Sequence, residues 1–400
     1  MTNRYTRVPY GLSVHGKEEI NAVINVLKKS TQMGSNVRTF EKKISNLFNK
    51  RYGLMVNSGS SAIMLAIESL NLPPNSEVIT PALTFSTTVS YLIKNKLKPI
   101  FIDVKKNTYC IDADEVLKKV NKKTKAIIAP HLMGNLVDWK KIKKGLKGRD
   151  IILIEDSADT IGSTINGISP GNYTDISITS FYGSHIINCA GNGGLVCFNN
   201  KKLYDKSKLL RSWGRSSSLY DENSEKIENR FNIKIDGIDY DKKFVFEEIG
   251  HNLEPSELGA AFGLEQYKKL NNFLIKRKNI FDTHYKYFSK FSSFFDLPFQ
   301  TPNSSTPWLA FPLIIKDNCP FNRKDLQIFL EKRNIQTRVV FTGNILRQPG
   351  FKFLNNYKKP FIEADRVMKF GFLIGCHQGM NQKMLRHLYN SFNIFLKKYI

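Results

Sequence analysis

Short runs of apolar, mostly β-branched residues alternate with amphipathic segments through the first two-thirds of the chain, and this alternation limits the fold most. Four such runs are Val78–Thr80, Pro99–Val104, Ala126–Ala129 and Ile151–Ile154. Continuous apolar strands that alternate with helices are typical of a parallel sheet covered by helices on both faces. Ligands bind beyond the carboxyl ends of the strands in such sheets, so we expect functional side chains directly after these runs.

The helical periodicity divides the chain into two predicted domains. Amphipathic patterns predict helices over Glu18–Lys29, Val37–Phe48 and Ser60–Leu70. We predict a large domain over residues 1–270, in which the polar stretch 216–248 forms an inserted loop or small hairpin. Residues 271–400 then form a connecting helix and a smaller C-terminal α/β domain.

Composition excludes several classes of protein. An apolar content of 41% and an aromatic content of 12% predict a globular chain, and no apolar stretch is long enough to span a membrane. The first residues lack the apolar segment of a secretory signal. The five cysteines form no CxC or CxxC pair, so we expect no metal site and a reduced, cytoplasmic setting.

The net charge of +25 raises the alternative of nucleic-acid binding. The lysines are spread over nearly every amphipathic segment and form no basic arm, so a solvated surface is the favoured interpretation. A positive field would still attract an anionic substrate such as a nucleotide diphosphate sugar.

The segment Asn57–Ala62 lies between a strand and a helix and contains the turn Ser58-Gly59-Ser60. Backbone N–H groups at a helix start can bind an anion, and glycine lets the backbone approach a phosphate. An ordinary helix cap explains the same residues about equally well.

Three further side chains follow predicted strands. Asp156 can meet a protonated ring nitrogen, although Asp also caps helices often. Ser180 can reach a phosphate or can belong to an ordinary turn. His185 can carry protons near working pH, but a lone loop histidine is more often structural.

The order of these segments resembles the DegT-type sugar aminotransferase and dehydratase family, which depends on pyridoxal phosphate and has fold type I. The likeness extends over nearly the whole chain. The matching motifs, in chain order, are Gly34–Val37, Asn57–Ala62, Pro81–Phe85, Ala129–His131, Glu155–Ser157, Ser180–Tyr182, Gly193–Gly194 and Ile249–Glu257. The resemblance implies a mostly parallel sheet with helices on both faces and a smaller C-terminal α/β domain.

The resemblance also implies roles for the residues that bind the cofactor. Gly59 and Ser60, helped by Ser180, hold the cofactor phosphate. Phe85 stacks on the pyridine ring, and Asp156 pairs with the ring nitrogen.

Two more positions follow from the same likeness. Asp159 lies where the family often has a glutamine that faces the ring hydroxyl. Asn252 lies where the family reaches the phosphate in the partner subunit's site. The resemblance therefore implies a homodimer with shared active sites.

His185 occupies the position of the family's Schiff-base lysine, and this exchange marks its sugar 3-dehydratase branch. Imidazole carries protons but forms no stable Schiff base, so pyridoxamine phosphate is the expected reagent, bound noncovalently. The implied reaction removes the carbon-3 hydroxyl of a 4-keto-6-deoxy nucleotide sugar, with glutamate as amino donor. The segments Arg215–Ser218 and Thr337–Arg338 resemble the GDP-linked kind, which serves deoxysugar and O-antigen-type polysaccharide biosynthesis.

Three alternatives stay open. Some members of this branch carry a [2Fe-2S] cluster on cysteines, but Trp213–Tyr220 contains none, so we expect no cluster. A pyridoxal-phosphate-dependent sugar aminotransferase would need a lysine at residue 185, and a non-catalytic binding protein would bind no vitamin B6 form.

Three departures from the family pattern concern the pocket. Asn192 replaces a glutamate, the stretch from His185 to Gly194 is one residue longer than usual, and Phe85 replaces a tryptophan.

Overall fold

The computed structural model describes residues 5–220, 227–355, 357 and 360–400. Fifteen strands are present in these ranges. They are β1 (Tyr52–Val56), β2 (Glu77–Pro81), β3 (Lys98–Ile102), β4 (Thr124–Pro130), β5 (Ile152–Asp156), β6 (Thr164–Ile165), β7 (Ile176–Ser180), β8 (Gly194–Phe198), β9 (Lys234–Ile235), β10 (Ile238–Asp239), β11 (Phe295–Asp296), β12 (Ser304–Ser305), β13 (Ala310–Ile315), β14 (Arg338–Val339) and β15 (Gly371–Gly375).

Twelve α-helices occur in the same ranges. They are α1 (Lys17–Leu27), α2 (Ser35–Leu47), α3 (Gly59–Glu68), α4 (Ser86–Lys94), α5 (Ala113–Lys119), α6 (Trp139–Gly145), α7 (Lys201–Arg211), α8 (Ile227–Arg230), α9 (Glu257–Phe288), α10 (Arg323–Lys332), α11 (Ile362–Phe370) and α12 (Gln382–Leu396). The three helices predicted near the N-terminus correspond to α1, α2 and α3.

A seven-stranded sheet forms the centre of the larger unit, with strand order β1-β8-β7-β5-β4-β2-β3. The pairs β2–β3, β2–β4, β4–β5 and β5–β7 are parallel, as predicted. Strand β8 is antiparallel to both of its neighbours. The predicted fold class, a mostly parallel sheet with helices, is therefore confirmed.

Alternate residues of the central strands bury against opposite helical layers, because successive side chains of a strand point to opposite faces. Ile128 and Ile154 belong to a core that includes the apolar side chains of α3. Their chain neighbours Ile127 and Leu153 belong to another core, built with α5 and α6. Helices thus cover both faces of the sheet.

Helix α9 runs for 32 residues and links the two sheets. At 1.5 Å per residue it is about 48 Å long. The side chain of Ser256 caps it by accepting from the N–H of Gly259. The predicted domain boundary after residue 270 lies inside this helix, and the division into two domains stays a prediction.

The C-terminal unit contains an antiparallel sheet of order β11-β13-β15-β14. Its core is rich in aromatic rings such as Phe288, Phe311 and Phe392. The N-terminal segment joins this unit, since Val8 bridges Ile335.

The inserted stretch 216–248 lies partly outside the described residues, because 221–226 are not described. Its described part contains the hairpin β9–β10, which turns at Gly237 with a φ of 84°. Along the described parts of the chain, no helix is both long and apolar enough to cross a membrane.

Candidate functional site

Five turns meet at one edge of the central sheet. Pro130 lies opposite Asp156, and Asp156 lies opposite Ile178, so the parallel strands β4, β5 and β7 end together. Gly194 of β8 pairs with both Val56 and Ser180, so β1 ends at the same edge. The structure therefore brings the ends of β1, β2, β4, β5 and β7 to the edge where the sequence predicted a ligand.

The turn before α3 leaves two backbone donors free for an anion. The Ser58 hydroxyl accepts from the N–H of Ser61 at 3.1 Å, so the helix-cap interpretation of this turn is correct. The N–H groups of Gly59 and Ser60 open the helix and have no acceptor inside it. The cap and the anion site are therefore compatible, because they use different N–H groups.

Close packing explains why glycine is needed in this turn. A Cβ atom on Gly59 would lie 2.6 Å from Cβ and 2.9 Å from Oγ of Ser180. A Cβ on Gly194 would collide with the carbonyl oxygen of Ser58. The Ser180 hydroxyl thus lies beside the two free N–H groups, which is the donor set that a phosphate requires.

Asp156 is buried at the end of β5 without a cationic partner among the described side chains. Its Oδ1 accepts only the N–H of Ala158, at 3.1 Å. Burial raises the pKa of Asp156 to about 6. No helix begins directly after β5, since the next element is β6, so the alternative that Asp156 caps a helix is wrong.

A buried carboxylate that lacks a countercharge is costly and is suited to receive a cationic ligand. A protonated pyridine nitrogen supplies such a charge.

Asp159 is also buried, and its Oδ2 accepts from the N–H of Met133 at 2.8 Å. Burial and the nearby Asp156 carboxylate raise the pKa of Asp159 to about 7. At neutral pH a large share of Asp159 therefore carries a proton, and it can donate a hydrogen bond as well as accept one.

His185 is held on the loop after β7. Its Nδ1 lies 3.2 Å from the carbonyl oxygen of Ser180. A carbonyl only accepts, so Nδ1 carries the hydrogen in the neutral ring and Nε2 keeps its lone pair. Burial lowers the pKa of His185 to about 4, against the smaller opposite effect of the Ser180 carbonyl. The imidazole is therefore neutral at pH 7 and able to accept a proton.

Phe85 presents an exposed ring beyond the end of β2. Phe85 is 47% exposed and lies directly before the first residue of α4. It contacts Phe341 edge to face, with ring centroids 6.2 Å apart. An open aromatic face at this edge fits a flat ring that stacks on it.

Asn252 lies on an exposed segment beside the end of β1. Its neighbour Leu253 accepts from the N–H of Asn57 at 3.1 Å. The proposed reach of Asn252 into a second subunit stays a prediction.

The loop that differs from the family pattern turns through two left-handed residues. Ala190 has a φ of 56° and Gly191 a φ of 113°. Phe181 donates its N–H to the carbonyl of Gly193, and Gly183 donates to Gly191. The longer loop is thus closed as a hydrogen-bonded hairpin that supports His185.

Sequence reasoning assigned no role to two buried polar pairs that flank the site, His131 with Glu155 and Arg277 with Gln378. Nε2 of His131 lies 3.0 Å from Glu155, and both side chains are fully buried. Arg277 of α9 is fully buried and donates to Gln378 at 2.7 Å. The motifs around His131 and Glu155 were visible, but nothing in an amphipathic helix marks Arg277 as part of a site.

Two residues near the predicted ligand edge serve the fold. Asp103 accepts the N–H groups of Glu363 and Ala364 and so caps α11. His377 is fully buried, with Nε2 3.1 Å from the carbonyl of Pro9.

A cavity of about 1120 Å³ opens elsewhere, between α1, the start of α2 and residues 211–218. Arg211, Arg215 and Glu254 are among its lining residues, and none of the predicted site residues lines it. Across the described residues, no three His, Cys, Asp or Glu side chains lie close enough to hold a metal.

The residues at the sheet edge fit a pyridoxal-phosphate-type cofactor. The free N–H groups of Gly59 and Ser60 suit its phosphate, and the unpaired carboxyl of Asp156 suits its ring nitrogen. The exposed ring of Phe85 suits its flat face. A neutral imidazole, and no amine, stands at residue 185.

Comparisons with known proteins agree with this geometry. The model of the DegT/DnrJ/EryC1/StrS aminotransferase family matches residues 14–393. The GDP-4-keto-6-deoxy-D-mannose 3-dehydratase of Yersinia pseudotuberculosis is 32% identical over 96% of this chain and 97% of its own length. The dTDP-4-dehydro-2,6-dideoxy-D-glucose 3-dehydratase of Saccharopolyspora spinosa is also 32% identical, over 98% of this chain and 86% of its own.

A solved structure supports the same relationship. The E. coli GDP-4-keto-6-deoxy-D-mannose-3-dehydratase with bound hydrated PLP superposes with a TM-score of 0.86 at 28% identity. The match covers 96% of this chain and 100% of that one.

Proposed function

We propose a specific reaction from one premise: this chain belongs to the DegT/DnrJ/EryC1/StrS aminotransferase family. The protein is an enzyme that removes the carbon-3 hydroxyl from a 4-keto-6-deoxy nucleotide sugar. The observation that carries this proposal is the neutral imidazole of His185 at the end of β7, where an aminotransferase would need a lysine amine.

Pyridoxamine phosphate, when bound, supplies an amine for the 4-keto carbon and a ring that accepts electrons. Gly59, Ser60 and Ser180 would hold its phosphate, and Asp156 would hold its ring nitrogen in the protonated state. Phe85 would cover one face of the ring. Asp159 would face the ring hydroxyl. Because its pKa is raised to about 7, its carboxyl could share a proton with that hydroxyl.

His185 performs the proton transfers in this proposal. Its Nδ1–H is fixed on the carbonyl of Ser180, which leaves Nε2 to accept and return a proton. A positioned base of this kind accelerates a reaction by about 10²–10⁴-fold. Imidazole forms no lasting bond with an aldehyde, so His185 holds no cofactor covalently.

A cluster-free reaction is supported by where the cysteines lie. The five thiols are unpaired. Burial raises the pKa of Cys110 and Cys376 to about 12, and the pKa values of Cys189, Cys197 and Cys319 are raised as well. The stretch Trp213–Tyr220, where cluster-bearing relatives carry cysteines, contains none, so these buried thiols suit a structural role. Unpaired cysteines also support the predicted reducing, cytoplasmic setting.

GDP is the proposed nucleotide and glutamate the proposed amino donor. A related dehydratase was crystallised with a trapped PLP-glutamate geminal diamine, and a His-to-Asn variant was crystallised with GDP-perosamine. Relatives of equal identity are named for dTDP-linked and GDP-linked sugars, so overall likeness does not choose the nucleotide. The GDP assignment rests on the resemblance of the segments around Arg215 and Arg338.

A polysaccharide pathway is the proposed setting for this reaction. Salmonella typhimurium has a relative, 32% identical, named lipopolysaccharide biosynthesis protein RfbH.

A homodimer is the proposed working unit. Large apolar side chains are exposed along the described part of residues 227–249, including Ile227, Ile238 and Ile249, the last of which is 96% exposed. Contiguous exposed apolar surface marks an interaction site. The exposed segment of Asn252 follows this surface directly, so the same contact would bring Asn252 to the second subunit.

Mass spectrometry of products tests the reaction. The protein is incubated with pyridoxal phosphate, glutamate and 4-keto-6-deoxy sugars linked to GDP, CDP or dTDP. A product lighter than its substrate by one oxygen atom is expected with the GDP sugar. An amino sugar would assign the protein to the aminotransferases, and a protein that binds no vitamin B6 form would be a non-catalytic member of the family.

A further inference from the structure

A fully buried arginine, Arg277, crosses from α9 towards the site without a carboxylate partner among the described residues. Its Nη1 donates to the carbonyl oxygens of Trp308, Leu309 and Cys376 at 3.2, 3.1 and 3.0 Å. Its Nε donates to Oε1 of Gln378 at 2.7 Å. The buried Nη2 has no hydrogen-bond partner in the described part of the chain. Burial lowers the pKa of Arg277 only to about 10, so the cation persists at neutral pH.

The amide of Gln378 connects this cation to the loop that carries the base. Its Nε2 donates to the carbonyl of Ile186 at 3.1 Å. Ile186 directly follows His185, whose Nδ1 contacts the carbonyl of Ser180 on its other side. The imidazole is therefore held at Nδ1 and its backbone is held at the next residue, and this second contact leads to Arg277.

The charge of Arg277 also acts on the imidazole directly. It lowers the pKa of His185 in the same direction as burial, which is the larger cause. A like charge nearby disfavours a second cation. Tyr182 and Cys189 are the titratable side chains beside His185 on this loop. Tyr10, Asp159, Cys376 and His377 act on or are acted on by Arg277, and Asp156 acts on Asp159.

We propose that Arg277 is a positioning residue for His185, acting through Gln378 on the loop that carries the imidazole. This inference rests on the proposed role of His185 as the base. This role accounts for a buried guanidinium whose described hydrogen bonds all go to carbonyl and amide oxygens.

Two substitutions remove the charge in different ways. Gln378→Glu is nearly isosteric, neutralises the cation and deletes the donor to Ile186. Arg277→Met removes the cation itself, whereas Arg277→Lys keeps the charge. Arg323→Met is the matched control, because Arg323 also donates to two carbonyls, those of Met368 and Gly371, in the C-terminal unit.

The first readout needs no cofactor or substrate. Deuterium exchange at Cε1 of histidine, followed by peptide mass spectrometry, gives the pKa of His185 in each apoprotein. We expect the pKa of His185 to rise by about 0.5–1 in Gln378→Glu and Arg277→Met. We expect Arg277→Lys and Arg323→Met to match the wild type. An unchanged His185 pKa in Gln378→Glu would overturn the inference, and this variant decides the question if Arg277→Met does not fold.

The second readout is turnover. A misplaced base costs about 10- to 100-fold in kcat, and we expect that loss in Gln378→Glu with KM changed less than about threefold. A wild-type protein that converts no sugar would contradict the proposed function, while the His185 pKa values would still decide the role of Arg277. Full turnover by Gln378→Glu, alongside active wild type, would contradict the positioning role alone.

Discussion

Replacing Asp156 by asparagine should make the empty protein more stable and the cofactor bind more weakly. Asp156 is buried, and its one described hydrogen bond comes from the N–H of Ala158. Asparagine has the same shape and can accept the same bond. The substitution therefore removes the charge and little else.

The magnitude follows from the pKa of Asp156, which burial raises from 3.8 to about 6. The folded-state pKa thus exceeds the unfolded-state pKa by about two units, which corresponds to about 3 kcal/mol. The ionised carboxylate lowers the free energy of unfolding of the apoprotein by this amount at pH 7. A raised folded-state pKa means that the folded state binds the proton more tightly, so stability falls as pH rises from about 4 to about 6. The gain in Asp156→Asn should be complete above pH 6 and vanish below pH 4.

Urea unfolding of both apoproteins between pH 4 and pH 8 measures this difference, and Asp150→Asn on the exposed surface is the matched control. Pyridoxamine phosphate should bind Asp156→Asn about 10- to 100-fold more weakly, since hydrogen bonds to charged groups contribute about 1.5–3 kcal/mol. Equal stability of wild type and variant at pH 7 would refute the raised pKa of Asp156. Unchanged cofactor affinity would refute the assignment of Asp156 to the ring nitrogen.

Four further predictions concern the base and the phosphate turn. His185→Asn should lower carbon-3 deoxygenation by about 10²–10⁴-fold with cofactor affinity retained, as product assays and cofactor titration will report; full activity would exclude His185 as the base. His185→Lys should bond the aldehyde cofactor, so that borohydride adds the mass of the reduced cofactor to this variant; no gain would mean that residue 185 faces away. Gly59→Ala should weaken cofactor binding at least about tenfold, because its Cβ would lie 2.6 Å from that of Ser180, whereas the control Gly350→Ala meets open space and should bind normally. Deuterium exchange at Cε1 of His185 in the wild type should show the imidazole gaining its proton only as pH drops through about 4, below the pKa values of Asp156 and Asp159, and protonation of His185 near pH 6.5 would contradict its buried environment.

The helical and strand pattern could be predicted because it follows local periodicity. Ile127 and Ile128 lie on opposite faces, as the continuous apolar run requires. The direction of β8 could not be predicted, because Leu195–Phe198 is an apolar run that suits either direction. The hydrogen-bonded turn through Ala190 and Gly191 decides it, and its left-handed backbone leaves no clear sign in the sequence.

The candidate site was predicted only in part, because some of its residues meet through tertiary packing and not through local sequence pattern. Asp156 ends a strand, and Gly59 and His185 lie within five residues of a strand end, where the sheet itself brings residues together. Arg277 and Gln378 are 101 positions apart and meet through tertiary packing alone. Local periodicity carries no information about such a contact.

The absence of a covalent tether can be measured directly. The wild-type protein is saturated with pyridoxal phosphate, treated with borohydride and examined by intact-mass spectrometry, with His185→Lys as the positive control. We predict that the mass of the wild type stays that of the unmodified chain, because only an imidazole stands at the ring. A wild-type chain heavier by one reduced cofactor, attached to any lysine, would contradict the account.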